Sequence, residues 1–593
     1  MPDYVIGIDL GTTNSALAFA LTTAESEAAK VELFSVPQLT NPGEVASLDL
    51  LPSSLYIPGA NEFVEGSLAL PWNPHPEYIT GLLARTRGIE NATRLVSSAK
   101  SWLSHQNADP TQPLLPLAAP DGIPKISPVE ASRHYLLHLK SAWDAAHPKQ
   151  KLESQTVLIT VPASFDAAAR DLTQRAAHQA GYPEVTIIEE PQAAFYAWLE
   201  RNPNWREQVK PGDSILVVDI GGGTTDFTLI SVTETDGELR LERVAVGEHL
   251  LLGGDNMDLA LARYAEQQFA QQGKKLDAMQ FHSLWQQCRA AKELLLSNDP
   301  PKEQALTILG RGTGLIGGTI RGKIKRDEVR NLLLDGFFPV VSSDVAPQKQ
   351  RRAALMEVGL NYAADPSVTK HLAQFLRQAG NAQPTHLLLN GGVLQAQAIE
   401  RRLFEVVNSW QQQPVVELHN ESKQADLMHA VAYGAAYYGL AKTGKGVRIR
   451  GGVPRTYYVG IESSLPAVPG IPAPMKALTV VPFGLEEGSK VELPQRRFAL
   501  LVGEPAEFRF FSSLSRKDDQ PGALIEGIGD DLEELAPIEV FLPAKDGERE
   551  EVVPVTLESN VTETGMLELW CVAADGRRWK LEFNVRERSA AAA

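Results

Sequence analysis

Hydrophobic and polar residues follow two different patterns along this chain. Up to about Lys445, short apolar runs alternate with amphipathic stretches of helical period, which indicates an α/β arrangement. After about Gly446, short β-type runs are separated by Gly, Pro and Asp, a pattern typical of an all-β domain. The predicted organisation is an α/β domain over 1–445, a short basic linker over 446–452, a β-sandwich-like domain over 453–587 and a disordered tail over 588–593.

Two segments of the α/β domain share one strand–turn–strand design. In "VIGIDLGTTNSALAFA" (Val5 to Ala20) and "VVDIGGGTTDFTLI" (Val217 to Ile230), an apolar strand ends in aspartate, glycines and threonines follow, and a strand resumes. Either turn alone is compatible with a simple tight hairpin. Because the two lie roughly two hundred residues apart, together they indicate a duplicated domain with one turn in each lobe. A ligand would then bind in the cleft between the lobes.

The composition of the turns favours a phosphate ligand. Glycines allow backbone amides to approach an anion, and successive amides form an anion-binding nest. Asp9 and Asp219, at the strand ends, would repel phosphate unless they held Mg²⁺, through water, between themselves and the phosphates. Four hydroxyl groups add donors, those of Thr12, Thr13, Thr224 and Thr225.

Other glycine-rich segments do not match a phosphate loop. The nearest match to a Walker loop, Gly439 to Gly446, has Gly446 where Ser or Thr would ligate the metal. The segment Gly310 to Gly322 lacks the aspartates and paired threonines, so we interpret it as a β-turn region.

Three strand ends add candidate residues. Glu190 follows a strand and precedes Pro191, which suits the first turn of a helix. Glu190 is therefore either a catalytic group at the edge of the sheet or a helix N-cap. Gly391 and Gly392 follow another strand and precede a helix whose amides could face a nucleotide. A third strand leads to a helix with Asp166 as its predicted cap and Gly181 as its end.

Composition limits the classes of function. The chain has 593 residues and a formal charge of -17, which argues against sequence-independent binding to nucleic acid or anionic membranes. No apolar run approaches the roughly 20 residues of a membrane span, and the N-terminus lacks a basic signal-peptide region. Two cysteines, Cys288 and Cys571, are too few for a disulfide framework and fit a cytoplasmic location.

At this point the residues resemble a known family. The two turns, "TVPASF", "EEPQAA", "HLLLGGDNMD" and "HAVAYGAA" occur in the order and spacing of the actin-like ATPases. They are most similar to the seventy-kilodalton heat-shock (DnaK-type) chaperones. The resemblance implies an actin-like, ribonuclease H-like, duplicated two-lobe ATPase domain followed by a β-sandwich-like domain.

The resemblance also implies roles for individual residues. Glu190 would contact metal-bound water, and Asp226 would be the second acidic residue of its loop. Lys100, in "SSAKSWLSH", would hold the attacking water and offset charge on the γ-phosphate, although alone it would be a solvated helix lysine. Pro162 and Arg170 match interlobe relay residues. The implied catalytic residues are Asp9, Lys100, Glu190, Asp219 and Thr224, with Asp9, Asp219 and Glu190 at the metal. The implied nucleotide contacts are Gly11, Thr12, Thr13, Gly221, Gly222, Gly223, Thr224, Gly253, Gly254, Lys292, Gly391 and Gly392.

The chain departs from the family on the adenine side and after the ATPase domain. Glu293 stands where the family has an arginine that stacks on adenine, and Arg289 replaces a glutamate; Val393 and Gln395 replace serine and arginine. We expect weaker or less selective adenine binding, by about 1 kcal/mol or more. The linker is basic where the family's is acidic and leucine-rich, which brings interdomain coupling into question. The sequence ends after the last strand, so a helical lid is expected to be missing.

These features favour an ATP-dependent chaperone. It would bind and hydrolyse Mg-ATP between its lobes and bind extended polypeptide or a dedicated client through the β-domain. A J-domain co-chaperone and a nucleotide exchange factor are implied partners. Two alternatives are a nucleotide-binding scaffold with little turnover and a small-molecule kinase of the same superfold. The β-domain could instead serve oligomerisation or docking.

Overall fold

The structure is a computed structural model with gaps in its described residues. It describes 2–22, 30–105, 108–117, 119–163, 165, 167–235, 238–247, 250–308, 319–348, 363–418, 427–444, 453, 455–462, 475–486, 488–491, 493, 496–513, 516–526, 528, 531–535, 538–544, 551–563 and 566–584. The predicted linker 446–452, the predicted tail 588–593 and the predicted cap Asp166 lie outside these ranges. The chain divides into two compact units, Met1–Arg448 and Ile449–Ala593.

The first unit alternates strands and helices. Its strands are β1 (Tyr4–Leu10), β2 (Asn14–Leu21), β3 (Glu32–Leu33), β4 (Val36–Asn41), β5 (Glu44–Leu48), β6 (Leu51–Pro52), β7 (Ser54–Tyr56), β8 (Ile79–Thr80), β9 (Leu95–Ser97), β10 (Thr156–Val161), β11 (Thr186–Glu189), β12 (Ser214–Ile220), β13 (Thr225–Thr235), β14 (Glu238–Val246), β15 (Glu303–Ile308), β16 (Ile320–Lys325), β17 (His386–Asn390) and β18 (Val416–Glu417). Its helices are α1 (Leu82–Glu90), α2 (Ala99–Leu103), α3 (Pro128–Ala146), α4 (Ala167–Gln179), α5 (Glu190–Arg201), α6 (Trp205–Gln208), α7 (Gly254–Gln271), α8 (Ala278–Leu295), α9 (Arg326–Phe337), α10 (Val368–Gln378), α11 (Gln397–Trp410) and α12 (Ala430–Lys442).

The two main sheets of this unit have the same topology. One sheet runs β11-β10-β1-β2-β3, with β6 also paired to β2, and the other runs β18-β17-β12-β13-β14. In each, the central strand (β1 or β12) forms an antiparallel hairpin with the next strand and pairs in parallel with a strand from much later in the chain. Each sheet has its own hydrophobic core. The repeated order is what a duplicated domain predicts.

Helices α5 and α12 pack closely where the two lobes meet. A Cβ at Gly434 of α12 would collide with the backbone of Ala193 in α5. A Cβ at Gly7 of β1 would collide with the α12 backbone at Ala436. The small residues of "EEPQAA" and "HAVAYGAA" therefore allow strand and helices to approach at backbone distance.

The second unit contains strands only, within the part of it that the structure describes. They are β19 (Thr456–Glu462), β20 (Met475–Val481), β21 (Ser489–Val491), β22 (Phe498–Val502), β23 (Pro505–Phe508), β24 (Phe510–Ser513), β25 (Leu524–Glu526), β26 (Glu533–Glu534), β27 (Ile538–Phe541), β28 (Glu551–Val561), β29 (Met566–Ala573) and β30 (Arg578–Asn584). Two antiparallel sheets, β25-β20-β19-β24-β26 and β21-β28-β29-β30 with β22 beside β28, contribute to one hydrophobic core. The sandwich arrangement expected for this unit stays a prediction.

The helices also bear on whether the chain could cross a membrane. Across the described ranges, none of them combines the length and the apolar character that crossing a bilayer requires.

Candidate functional site

The two glycine–threonine turns are hairpin loops of equal length. In the first hairpin Leu10 pairs with Ser15, which leaves a loop of residues 11–14, here called the first loop. In the second, Ile220 pairs with Thr225, which leaves the second loop, residues 221–224. Asp9 and Asp219 occupy the same position, one residue before the last strand pair. The duplication therefore extends from the sheet order to the loops.

The two loops touch each other across the lobes. A Cβ at Gly222 would collide with the Thr13 hydroxyl, and a Cβ at Gly223 would lie 3.0 Å from the Thr12 side chain. The glycines of the second loop thus make room for the threonines of the first. The two turns that the sequence singled out form one continuous surface.

Backbone amides at this surface are available to a ligand. Among the described residues, the amides of Thr12, Thr13, Gly222 and Gly223 have no acceptor within hydrogen-bonding distance. By contrast, the Gly221 amide donates to Thr224 O at 2.9 Å and closes the second loop. Free successive amides in a glycine-containing loop are the donors of an anion-binding nest, so the loops suit a phosphate group.

Carboxylates and one lysine lie beside the loops. Lys100 of α2 is buried and forms an ion pair with Glu190, the first residue of α5. Burial and the negative charge of Glu190 raise the pKa of Asp9 to about 7, against the lowering effects of Lys100 and of a hydrogen bond from Thr160. Burial and Glu190 also raise the pKa of Asp219, whose Oδ2 accepts a 2.7 Å hydrogen bond from Asn390.

This cluster fits a hard divalent cation held mainly through water. Three carboxylates face a single ammonium, an excess of negative charge that an additional cation would balance. Oxygen donors are the ligands that Mg²⁺ prefers, and Mg²⁺ keeps several of its waters. In the part of the chain that the structure describes, no three or more His, Cys, Asp or Glu side chains are grouped to ligate a metal directly. Asp9, Asp219 and Glu190 are thus suited to hold the waters of a hydrated ion.

One cavity of about 730 Å³ contains most of the predicted residues. At one end, here called the loop end, it is lined by Asp9, Gly11, Thr12, Thr13, Lys100, Glu190, Asp219, Gly221, Gly222 and Thr224. A second part of the lining, here called the far end, is defined by the charged side chains of Arg85, Arg289, Lys292 and Glu293. Gly254, Gly391 and Gly392 line the cavity as well.

The far end is rich in ion pairs within the second lobe. Arg289 of α8 pairs with Asp255 and, at 2.8 Å, with Asp258. Lys292, one turn along α8, pairs with Asp258 at 2.7 Å and donates to Gly254 O at 3.0 Å. Arg289 therefore neutralises carboxylates of α7, and this is the side chain that replaces a glutamate of the resembled family.

Three residues that we expected from the sequence to lie near the ligand instead contact other parts of the protein. Gly253 and Gly223 do not line the cavity. A Cβ at Gly253 would lie 2.7 Å from the carbonyl oxygens of Gly221 and Gly222, so Gly253 lies directly against the second loop. Thr225 belongs to β13, and its hydroxyl donates to Leu252 O at 2.6 Å. That hydroxyl has a structural partner, and the expectation that it faces a ligand was wrong.

The predicted relay residue Arg170 lies away from the cavity, beside the strand end that carries Glu190. Its Nη2 is 3.2 Å from the buried Glu189 Oε1 and donates to Ala163 O at 3.1 Å. Arg243, on β14 of the second lobe, lies 3.1 Å from the other oxygen of Glu189. A buried ion triad therefore joins the two lobes next to Glu190.

Several residues at the site were not found from the sequence. Ser98, at the start of α2, donates to Asp255 Oδ2 at 2.6 Å and so links the lobes. The buried Ser101 hydroxyl lies against Gly223 and has no hydrogen-bond partner among the described residues. Asn390 holds Asp219. In the sequence, these residues are connected with the site by their neighbours: Ser98 and Ser101 flank Lys100, and Asn390 precedes Gly391.

Comparisons with known proteins agree with this geometry. Residues 88–342 match the family model described as Hsp70 protein. The chain is also 26% identical over 403 residues to a protein named chaperone protein HscA homolog from Rickettsia prowazekii (strain Madrid E). That alignment covers 63% of this chain and 58% of the relative. The matches and the paired loops show that the chain is similar to Hsp70 proteins over this part of its length.

Proposed function

We propose that this protein is an ATP-dependent molecular chaperone that binds and hydrolyses Mg-ATP in the cavity between its two lobes. The observation that carries the proposal is the contact between the two loops, because it places two sets of unpaired amides beside one carboxylate–lysine cluster. The Hsp70 match supports the proposal, since members of that family are ATPases.

The residues of the loop end can account for phosphoryl transfer to water. Amides of Thr12, Thr13 and Gly222, which line the cavity, would hold the phosphates, and the hydroxyls of the first loop would add donors. Bound Mg²⁺ would offset phosphate charge, with Asp9, Asp219 and Glu190 holding its waters.

Lys100 would position the attacking water. The water oxygen bonds to the γ-phosphorus as the bond to the β,γ-bridging oxygen breaks, and the proton of the water leaves with the phosphate products. The Lys100 ammonium would lower the free energy of the charge that develops on the γ-phosphate. Glu190 keeps that ammonium in place through their ion pair.

The second unit would bind extended polypeptide or a dedicated client, as the family resemblance implies. A J-domain co-chaperone and a nucleotide exchange factor would regulate the cycle, and the cytoplasmic location expected from the sequence stays part of the proposal.

Steady-state phosphate release from Mg-ATP tests the proposal. Lys100→Ala should lower kcat about 100- to 1,000-fold, the range for losing one preorganised charge-stabilising donor. Lys140→Ala is a matched control, because Lys140 also forms an ion pair, with Asp144, but does not line the cavity. Wild-type and Lys100→Ala rates that both match the background would contradict hydrolysis and favour a nucleotide-binding scaffold, whereas equal rates above the background would contradict the role of Lys100.

A further inference from the structure

Arg85 of α1 differs from the other cations that line the cavity. Lys100 pairs with Glu190, Arg289 with Asp255 and Asp258, and Lys292 with Asp258; the four cationic wall residues are Arg85, Lys100, Arg289 and Lys292. Among the described residues, the half-buried Arg85 guanidinium makes no hydrogen bond and no ion pair. It comes from the first lobe, whereas Arg289 and Lys292 come from the second.

The Arg85 guanidinium is partly desolvated, so contact with a bound ligand would stabilise it. Burial lowers the pKa of its guanidinium, attraction to Glu293 acts against that effect, and Arg289 repels it. A half-buried cation loses hydration that an ion pair would normally replace. A ligand surface rich in π electrons can replace part of it, since guanidinium groups stack on aromatic faces.

Contacts along the cavity wall connect the second loop with the surroundings of Arg85. The second loop adjoins Gly254, because a Cβ at Gly254 would lie 3.5 Å from the Gly222 Cα and 3.1 Å from the Lys292 Nζ. Lys292 and Glu293 share α8, and the charge of Glu293 acts on Arg85. With phosphates at the loops, the sugar and base extend toward the far end.

The lining of the far end suits a flat aromatic ring. Apolar side chains of both lobes line the same cavity, namely those of Leu82, Leu296 and Val393. Leu82 lies one turn before Arg85 on α1. A base placed here would therefore have Arg85 and Leu82 on the first-lobe side and α8 on the other.

We propose that Arg85 is a base-contacting residue whose guanidinium stacks on the nucleotide base from the first lobe. The inference rests on the proposed function, because it assumes that the loops bind the phosphates. Since the base then lies between side chains of both lobes, nucleotide binding would hold the lobes together at the far end.

Isothermal titration calorimetry of the full chain with two ligands tests this inference. Mg-ATP carries a base, and magnesium tripolyphosphate does not. Arg85→Ala should weaken Mg-ATP binding about five- to twentyfold, the range of a partly desolvated cation–π contact, and leave tripolyphosphate binding unchanged. Arg85→Lys should lose most of the same affinity, because an ammonium lacks the planar face of a guanidinium.

Arg87→Ala is the matched control, because Arg87 lies on the same helix, pairs with Glu90 at 2.6 Å and does not line the cavity. It should bind both ligands as the wild type does. Equal losses for both ligands in Arg85→Ala, unchanged Mg-ATP affinity, or full retention in Arg85→Lys would each overturn the stacking role. A wild-type chain that bound neither ligand would instead contradict the proposed function, and the role of Arg85 with it.

Discussion

At the loop end of the cavity, each lobe contributes a hairpin loop of the same length with an aspartate at the same position. At the far end, the second lobe contributes a network of ion pairs between α7 and α8, whereas the first lobe contributes Arg85, which has no ion-pair partner among the residues that the structure describes. The loop end thus keeps the symmetry of the duplicated domain. At the far end the two lobes contribute different side chains, and its chemistry depends on those side chains rather than on a repeated hairpin.

The difference separates two requirements of a nucleotide site. Phosphate binding depends mainly on backbone amides and a metal, and two similar hairpins supply both halves of such a site. Base binding depends on individual side chains. Glu293 and Gln395 line the same cavity as the paired loops, so they are side chains through which the binding of a base could be altered separately from that of phosphate.

Of two perturbations that separate the loop end from the far end, Gly253→Ala should change ligand affinity more, because it displaces the loop end. The new Cβ would lie 2.7 Å from the Gly221 and Gly222 carbonyl oxygens and would displace the second loop. We expect Mg-ATP and magnesium tripolyphosphate to bind at least about tenfold more weakly, since a shift of about 1 Å in a positioning loop has large effects. Calorimetry with both ligands measures this change.

Gly336→Ala serves as the control for that substitution. Gly336 lies in α9, and a Cβ there would have no atom within 4 Å. It should leave both affinities unchanged and stabilise the helix slightly. A Gly253→Ala chain that lost affinity for Mg-ATP alone would show that the loop end does not hold the phosphates.

Replacing ATP by GTP should produce the smaller effect, because it perturbs only the far end. Most charged groups there are engaged with each other, as the pairs of Arg289 and Lys292 show. Stacking by Arg85 does not distinguish one purine from another. Competition binding should therefore give Mg-ATP and Mg-GTP affinities within about tenfold, whereas a preference above about a hundredfold would require directed hydrogen bonds to adenine.

The sequence was sufficient for the features that repeat locally. Strand–turn–strand patterns located both hairpins, and the strand before Glu190 ends at Glu189 with a helix following, as the position of Pro191 indicated. In the second unit, where the sequence shows short β-type runs, the elements that the structure describes are strands. Periodicity and turn chemistry act over a few residues, so they can be read without the fold.

Long-range contacts could not be predicted in this way. The Ser98–Asp255 bond and the Glu189–Arg243 pair join residues far apart in the chain, and no local pattern marks them. Thr225 shows that a local sequence repeat can also suggest a ligand contact that the fold does not provide. It repeats the threonine of a phosphate loop in sequence, but the hairpin register puts it in a strand, where its hydroxyl binds Leu252 O.

The central claim is that the two loops jointly bind a magnesium triphosphate. Calorimetric titration of the wild-type chain with ATP, with and without Mg²⁺, tests it most directly. We expect one binding event per chain with Mg²⁺ and an affinity at least about tenfold lower after chelation, because Asp9 and Asp219 would then repel the phosphates directly. No heat with Mg-ATP, or an affinity that chelation leaves unchanged, would contradict the account.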